Sequence, residues 1–145
     1  MTEIRLSRLY TVEQERAKLA YDMALPSKEY RAGVRQLAPM IVNNGLLQTL
    51  AYFRVKRTDV YNSVMEYLDK WLNDHGLEPG KEFIQRVAEL TMADYRAATA
   101  EALAFAIWLK RFAEAKVIDS DQPMPGVVQT GDQTSETAAY GGNDV

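Results

Sequence analysis

The sequence contains no cysteine and only one histidine, His75. The lack of cysteine excludes disulfide bonds, thiolate zinc sites and cysteine nucleophiles. His75 falls at the predicted C-terminal end of a helix, where a cation or a hydrogen-bond donor is favoured, so we interpret it as a capping residue. A histidine–carboxylate metal motif would need an acid three residues earlier on the same face, and Leu72 occupies that position.

Motifs typical of enzymes are absent as well. The segment 78–81 lacks the glycine spacing and the preceding strand of a phosphate-binding loop. None of the serines lies in a nucleophile elbow, and one histidine leaves little to activate them. Acid pairs such as Glu13 and Glu15 are more typical of a solvated helix face. By elimination, the sequence predicts a non-catalytic protein with no cofactor and no metal.

Long apolar segments are also missing. The longest apolar run covers residues 102–109, far fewer than the roughly 20 residues that a membrane span needs. The first residues contain no signal-peptide core. We therefore expect a soluble, cytoplasmic protein without membrane contact.

Charge is distributed unevenly along the 145 residues. All 17 Lys and Arg lie between Met1 and Ile118, whereas residues 119–145 contain five acids and no base. The body is therefore mildly basic and the tail acidic. The tail also has too few apolar side chains to offset the entropy lost on ordering. We predict one helical domain over residues 1–118 and a disordered acidic tail over residues 119–145.

Helical periodicity and capping residues predict an all-α fold, a compact bundle of five or six helices with a long C-terminal helix. Thr11 has capping-box spacing and opens a first helix that ends before Pro26. Residues 1–10 either extend this helix or form a separate arm. Ser27 caps a second helix that Pro39 breaks or kinks.

A third helix is predicted from Pro39 to about Phe53, with Gly45 inside it at a cost of about 1 kcal/mol relative to alanine. A fourth helix starts at Thr58 and ends at residues 75–76, and a shorter one follows residue 80. The last helix starts at Thr91 and continues to about Val117 without a breaking residue.

Basic clusters are the remaining polar signal. Arg54, Lys56 and Arg57 gather at the end of the third helix, where they also complement the helix dipole. Lys110 and Arg111 lie late on the last helix. A charged helix face is usually only solvated, yet several clusters on a small body favour contact between at least one of them and a phosphate backbone.

Aromatic residues near the first cluster have two possible roles. Exposed rings can stack on bases, whereas rings at helical spacing usually pack in the core, which is the more common outcome. The three tyrosines concerned are Tyr52, Tyr61 and Tyr67.

Three segments, in order along the chain, resemble the small subunit of the Cmr complexes, which are type III-B CRISPR effectors. Residues 37–52 (LAPMIVNNGLLQTLAY) contain the family's Asn-Gly-Leu-x-Gln-x-Leu-Ala pattern. Residues 95–105 and 108–113 are similar to its late helix, and residues 14–17 to the start of its first helix. The similarity covers about residues 11–117, and the acidic tail has no counterpart.

The resemblance implies an all-α, non-catalytic, cytoplasmic subunit. Copies of such subunits stack in an inner filament beside the backbone subunits, which hold the CRISPR RNA. They help to form the groove in which guide and target RNA pair. RNA cleavage is assigned to the backbone subunits, and nuclease or cyclase activity to the large subunit. The expected partners are therefore other Cmr subunits, copies of the chain itself, CRISPR RNA and target RNA.

Residue roles follow the positions that match the family. Arg16, Arg96, Lys110 and Arg111 match basic family positions and are candidates for phosphate contact. Arg54, Lys56 and Arg57 are candidates on charge alone. Contacts to backbone charge predict RNA binding without sequence preference.

Asn44, Gly45 and Gln48 match the Asn-Gly-Leu pattern and are candidates for a helix contact. Gly45 would permit a close approach, across which Asn44 and Gln48, one turn apart, can form hydrogen bonds. The contact is either a subunit interface or a helix crossing within the chain.

Other interpretations stay open from the sequence. The chain is also compatible with the small subunit of a type III-A or I-E CRISPR complex. A helical protein-interaction module without RNA contact is the alternative from another class, and it predicts mutually compensating charges on the exposed face of the last helix. A metal-dependent nuclease is the third alternative.

Overall fold

The computed structural model describes residues 10–77 and 80–121, and for residues 117–121 only the backbone. The described residues form six helices and no strand: α1 (Val12–Met23), α2 (Lys28–Asn44), α3 (Leu46–Lys56), α4 (Asp59–Asp74), α5 (Phe83–Ala88) and α6 (Met92–Asp121). The predicted all-α bundle with a long C-terminal helix is confirmed. The alternatives for residues 1–9 concern a segment outside the described residues.

Helix starts follow the capping residues that the sequence predicts. The Thr11 hydroxyl accepts a hydrogen bond from the Gln14 amide, and the Gln14 side chain accepts one from the Thr11 amide, which completes a capping box. The hydroxyls of Ser27, Thr58 and Thr91 each accept a hydrogen bond from the backbone amide three residues later. Each cap satisfies an amide that has no partner within its helix.

Pro39 does not break the second helix, so the predicted boundary there is wrong. α2 continues through Pro39, and the chain leaves the helical conformation at Gly45, with φ 89° and ψ 161°. The missing N–H of Pro39 costs one hydrogen bond, but α2 buries Val34, Leu37 and Ile41 on both sides of it. Gly45 therefore separates α2 from α3 and does not lie inside a helix.

α6 is the central helix and packs against α1, α2 and α4. Its buried stripe combines Phe105 and Leu109 with small residues: Ala98, Ala102, Ala106 and Ala113. The helix continues through Asp121, so it extends past the predicted helix end and past the predicted domain boundary at residue 118. The rest of the predicted tail, residues 122–145, lies outside the described residues.

Buried polar side chains link the helices across the core. The hydroxyl of Tyr30 on α2 lies 2.6 Å from that of Ser63 on α4, and it donates to the Met23 carbonyl at 3.3 Å. Burial raises the pKa of Tyr30 to about 12, so the phenol keeps its proton at neutral pH. This pair joins α2, α4 and the end of α1.

Gly33 marks a close contact between α2 and α4. A Cβ at this position would lie 2.8 Å from Cγ2 of the buried Val60. Gly33→Ala gains about 1 kcal/mol of helix propensity but overpacks a β-branched neighbour, at a cost of about 1–3 kcal/mol. We expect a net loss of about 1 kcal/mol in the free energy of unfolding, measured by urea denaturation.

The double variant Gly33→Ala/Val60→Ala is the control for this contact. In the double variant the truncated side chain at position 60 no longer contacts the new Cβ at position 33. The loss in the free energy of unfolding is therefore expected to be smaller than the sum of the losses in the two single variants. An unchanged or higher stability of Gly33→Ala would contradict the close contact.

Candidate nucleic-acid interface

The basic cluster at the end of α3 is exposed. Arg54 donates to a Glu82 carboxylate oxygen at 2.5 Å, and both side chains are about half exposed. Lys56 and Arg57 are exposed as well. Arg57 takes a left-handed conformation with φ 56°, and its amide bonds to the Arg54 carbonyl at 3.1 Å. The cluster therefore ends the helix and also presents cationic side chains to solvent.

Tyr52 is the one accessible ring among the three tyrosines considered for stacking. It is 44% exposed, and the Lys56 ammonium lies 5.7 Å from its ring centroid. Tyr61 and Tyr67 are buried in the core, as the more common role of such rings predicts. An exposed aromatic ring beside a cation is suited to stacking on a base.

Three basic candidates lie on α6, and all are exposed: Arg96, Lys110 and Arg111. Arg96 and Lys110 are 14 residues apart on the same face of the helix, which corresponds to about 21 Å. Within the described ranges no carboxylate is in ion-pair distance of these three side chains. The fourth base of this helix, Lys116, instead donates to the carbonyl of Ala24 at 2.9 Å.

The acids of α6 whose side chains the structure describes, within residues 92–116, do not neutralise this face. Glu101 pairs with Arg16 on α1, and Glu114 pairs with Arg35 on α2 at 3.1 Å. Asp94 lies in the first turn, where an acid complements the helix dipole. The exposed charges on this face are therefore mainly basic, which does not match the compensating pattern predicted for a protein-interaction module.

A groove of about 610 Å³ lies between α2 and α6. Among the residues lining it, Val42 is 69% exposed and Ile107 is 50% exposed. Lys110 and Arg111 also line the groove. We call this feature the α2–α6 groove. Apolar side chains, three bases and one acid line it: Val34, Arg35, Ala38, Pro39, Val42, Asn43, Ala106, Ile107, Lys110, Arg111 and Glu114.

Arg16 has an intramolecular partner. Its Nε and Nη2 donate to the two carboxylate oxygens of Glu101 at 2.9 and 3.0 Å, with side chains 16% and 15% exposed. The Tyr67 hydroxyl donates to the same carboxylate, and its ring stacks on Phe105 with centroids 4.1 Å apart. The three side chains join α1, α4 and α6.

The pKa values in this network shift with its geometry. Burial would raise the pKa of Glu101, but hydrogen bonds from Arg16 and Tyr67 outweigh it and lower the pKa. The hydrogen bond to Glu101 raises the pKa of Arg16. Burial, followed by the bond to Glu101, raises the pKa of Tyr67. At neutral pH the network therefore contains an ion pair and a protonated phenol.

Arg16 also lines a second cleft, of about 760 Å³, between α1, α4 and α6. His75 and Trp71 also line this cleft, with ring centroids 4.0 Å apart. Nδ1 of His75 lies 2.8 Å from the Trp71 carbonyl oxygen at the end of α4. This hydrogen bond confirms the capping interpretation of His75.

The residues of the Asn-Gly-Leu pattern surround the break between α2 and α3. Asn44 and Gln48 are exposed and belong to different helices, so they do not lie one turn apart on a single helix. A Cβ on Gly45 would lie 3.9 Å from the Tyr95 hydroxyl, an ordinary contact. The structure thus requires Gly45 for its positive φ rather than for a close helix approach.

Tyr95 provides the cap that Gly45 lacks. The glycine has no side chain that could accept a hydrogen bond from the first amides of α3. Instead, the Tyr95 hydroxyl of α6 accepts a hydrogen bond from the Leu47 amide at 3.1 Å. The sequence shows Tyr95 only as one member of the apolar stripe of α6. Its polar role depends on a contact 48 residues distant along the chain.

Arg86 is a second structural residue that the sequence interpretation missed. Its side chain is 9% exposed, donates to Asp69 on α4, and bonds to Oδ1 of Asn73 at 3.2 Å. A signal existed in the sequence, because a base between the inward Phe83 and Leu90 interrupts an apolar stripe. This contact fixes α5 on α4.

The part of the chain that the structure describes has no cluster of three or more metal-ligating side chains. In the same residues, no helix is both long enough and apolar enough to cross a membrane.

Comparisons with known proteins agree with the sequence resemblance. A family model described as "CRISPR-associated protein (Cas_Cmr5)" matches residues 12–116. The CRISPR system Cmr subunit Cmr5 of Thermotoga maritima is 31% identical over 121 residues, which cover 78% of this chain and 90% of the relative. No solved structure matches the chain significantly. The family match contains α1–α5 and most of α6.

Proposed function

Because the chain belongs to the Cas_Cmr5 family of CRISPR-associated proteins, we propose that it is a non-catalytic structural subunit of a type III-B Cmr effector complex. The observation that carries this proposal is the extent of the family match, residues 12–116, which includes nearly the whole helical body. The match favours the Cmr class over the type III-A and I-E alternatives. In this role the chain stacks with copies of itself beside the backbone and large subunits in the cytoplasm.

The basic face of α6 supports a role in holding guide and target RNA. Arg96, Lys110 and Arg111 are exposed, and the neighbouring acids Glu101 and Glu114 are engaged with bases of other helices. Cations in this arrangement attract a phosphate backbone without reading bases. The α3 cluster, Arg54, Lys56 and Arg57, is a second candidate surface, with Tyr52 available for stacking.

Arg16 is not part of this proposed RNA surface. Both carboxylate oxygens of Glu101 hold its guanidinium in a part-buried position. Asn44 and Gln48 keep their candidate role in subunit contact, since both are exposed beside the α2–α3 break.

The membership proposal is tested by purifying the full-length tagged chain from its native host and identifying associated proteins and RNA. Other Cmr subunits together with repeat-derived guide RNA are the expected result. Recovery of unrelated proteins without RNA would instead support the interaction-module alternative.

The RNA surface is tested with Lys110→Glu/Arg111→Glu and single-stranded RNA in fluorescence anisotropy. The logarithm of RNA affinity should fall with the logarithm of salt concentration, with a slope of about −0.7 per neutralised phosphate. Loss of two contacts therefore reduces the slope by about 1.4, and we expect about tenfold weaker binding near physiological salt.

The control Lys70→Glu/Lys81→Glu changes the net charge equally on α4 and the segment before α5. Equal losses of affinity in both double variants would indicate a net-charge effect and contradict a defined surface. An interaction insensitive to salt would contradict phosphate contact altogether.

A further inference from the structure

The outward side of α3 is apolar, as its inward side is. Leu50 and Phe53 are buried in the bundle, whereas Ala51, Tyr52 and Val55 are exposed on the opposite side, with Val55 79% exposed and Tyr52 44% exposed. A helix with apolar residues on opposite faces is normally covered on both. In the part of the chain that the structure describes, the outward side of α3 has no such cover.

The charges beside this apolar side are all basic. α3 and Arg57, the residue that ends it, include no acid. Arg54 pairs with Glu82, but Lys56 and Arg57 belong to none of the ion pairs among the described residues. The outward side of α3 is therefore suited to an apolar partner that carries acids. A second α3 has no acid to offer, which disfavours a symmetric contact of α3 with itself.

A surface of the required kind lies on α1. Tyr10 and Tyr21 are 58% and 54% exposed. The first turn of α1 contributes Glu13 and Glu15, which are exposed and take part in no ion pair among the described side chains. We call the cleft at this surface, of about 620 Å³, the α1–α6 cleft; it is lined by Tyr10, Gln14, Glu15, Ala17, Lys18, Tyr21 and Phe112.

We propose that α3 of one copy of the chain docks in the α1–α6 cleft of a second copy, with the two helices antiparallel. The inference rests on the stacking of copies in the proposed function, and it names the surfaces that meet. α1 packs against α4 and α6, whereas α3 packs against α2, α4 and α5, so one copy can present both surfaces at once. A contact between unlike surfaces leaves one of each unoccupied at the two ends, and further copies can be added in the same way.

The antiparallel register brings acids to bases and an aromatic ring to the cleft. Because both helices rise 1.5 Å per residue, one step back along α3 corresponds to one step forward along α1. With Lys56 beside Glu15, Tyr52 lies beside residue 19, between Ala17 and Tyr21, which both line the cleft. The Tyr52 ring therefore meets the apolar part of the cleft in the register that the charges set.

The other charges near the contact fit the same register. Arg57 lies beside residue 14, next to Glu13 in the first turn of α1. Lys18 is the one base that lines the cleft, and it falls opposite residue 53, beside the Tyr52 ring. Since the face of an aromatic ring attracts a cation, this base does not oppose the contact.

The parallel orientation fits less well. It brings the bases of α3 to the last turn of α1, which contains a single acid, Asp22. Lys116 of α6 lies there too, where it donates to the carbonyls of Tyr21 and Ala24. The bases of α3 would then meet a surface without net negative charge.

A charge swap in the full chain tests the pairing. Lys56→Glu/Arg57→Glu and Glu13→Lys/Glu15→Lys are each expected to self-associate about tenfold more weakly in sedimentation velocity at low salt, because like charges then meet in every contact. An equimolar mixture of the two variants should recover the association of the wild-type chain, since each contact between unlike variants again pairs opposite charges.

The control Glu29→Lys/Glu66→Lys makes the same charge change on exposed positions of α2 and α4, and it should associate like the wild-type chain. A mixture that associates no better than either variant alone would overturn the proposal, and so would a wild-type chain that stays monomeric at every concentration. Unchanged self-association of Lys56→Glu/Arg57→Glu with weaker RNA binding would assign the α3 cluster to RNA instead. In all three cases, recovery of other Cmr subunits with the tagged chain would leave the proposed function standing.

An uncharged substitution measures the apolar part of the contact. Val55→Ser should weaken self-association about fivefold to tenfold, both at low salt and at about 0.5 M salt, because ions do not screen the burial of a valine. Val42→Ser, at a position on α2 that is 69% exposed, is the matched control and should leave self-association unchanged. Both side chains are exposed in the single chain, so neither substitution removes a core contact. Equal effects of the two substitutions would contradict docking through α3.

Discussion

Arg16→Ala is expected to lower the free energy of unfolding by about 2–3 kcal/mol and to leave the RNA affinity of the folded chain unchanged. The substitution leaves Glu101, which is 15% exposed, without its bidentate partner. Breaking a fully buried pair costs about 3–5 kcal/mol, and partial exposure of this pair reduces the cost. Urea denaturation and RNA anisotropy on the same samples measure the two effects.

The matched control is Arg35→Ala, which also removes an ion pair between α6 and another helix. Arg35 and Glu114 are 55% and 31% exposed, so their pair is expected to contribute at most about 1 kcal/mol. The double variant Arg16→Ala/Glu101→Ala should be more stable than additivity predicts, because no uncompensated charge is left. An Arg16→Ala variant with normal stability and weak RNA binding would return Arg16 to the RNA surface.

The stabilisation from Glu101 depends on pH in a defined direction. Its pKa in the folded chain lies below the ordinary value of 4.5, so the folded state favours the charged form. This contribution is fully present above pH 4.5 and is lost as the pH falls through the lower folded value. The stability difference between the wild-type chain and Glu101→Gln should therefore shrink as the pH is lowered below 4.5. A difference that stays constant down to pH 3 would contradict the charged network.

Local signals were sufficient to predict most helices. Thr11, Ser27, Thr58 and Thr91 are caps whose partners lie three residues away, so both members of each hydrogen bond can be read from the sequence. The boundary between α2 and α3 required tertiary information. Pro39 and Gly45 each disfavour a helix interior. In the structure α2 packs on α6 and continues through Pro39, and it ends at Gly45.

The sequence was sufficient to predict which basic residues belong to the candidate site, but not which of them form ion pairs within the chain. From the sequence, Arg16, Lys110 and Arg111 were all candidates for phosphate contact. Their environments differ because Arg16 meets a carboxylate 85 residues away, whereas no carboxylate of the described chain is within ion-pair distance of the other two. Such long-range pairing has no signature in local periodicity, so the structural and the solvent-facing bases could not be separated.

Gly45→Val is expected to destabilise the chain by about 3 kcal/mol, because φ 89° with ψ 161° belongs to a region that is essentially restricted to glycine. A β-branched side chain is especially unfavourable at positive φ. The break that Gly45 makes is fixed from both sides. The Gly45 carbonyl accepts a hydrogen bond from the Thr49 hydroxyl at 2.8 Å. Two residues later, the Leu47 amide donates a hydrogen bond to the Tyr95 hydroxyl. The chain therefore cannot relax the strain without losing these bonds.

Asn44→Val is the matched control for Gly45→Val, since Asn44 is the preceding residue, exposed, and in helical conformation at the end of α2. It adds the same side chain without backbone strain and should change stability by at most about 0.5 kcal/mol. Urea denaturation followed by circular dichroism measures both variants. If Gly45→Val were as stable as the wild-type chain but failed to assemble with Cmr subunits, Gly45 would act at a subunit interface. The isolated chain has no partner subunit, so a large loss of stability there cannot come from a lost subunit contact. Such a loss would show that Gly45 is needed for the backbone break between α2 and α3.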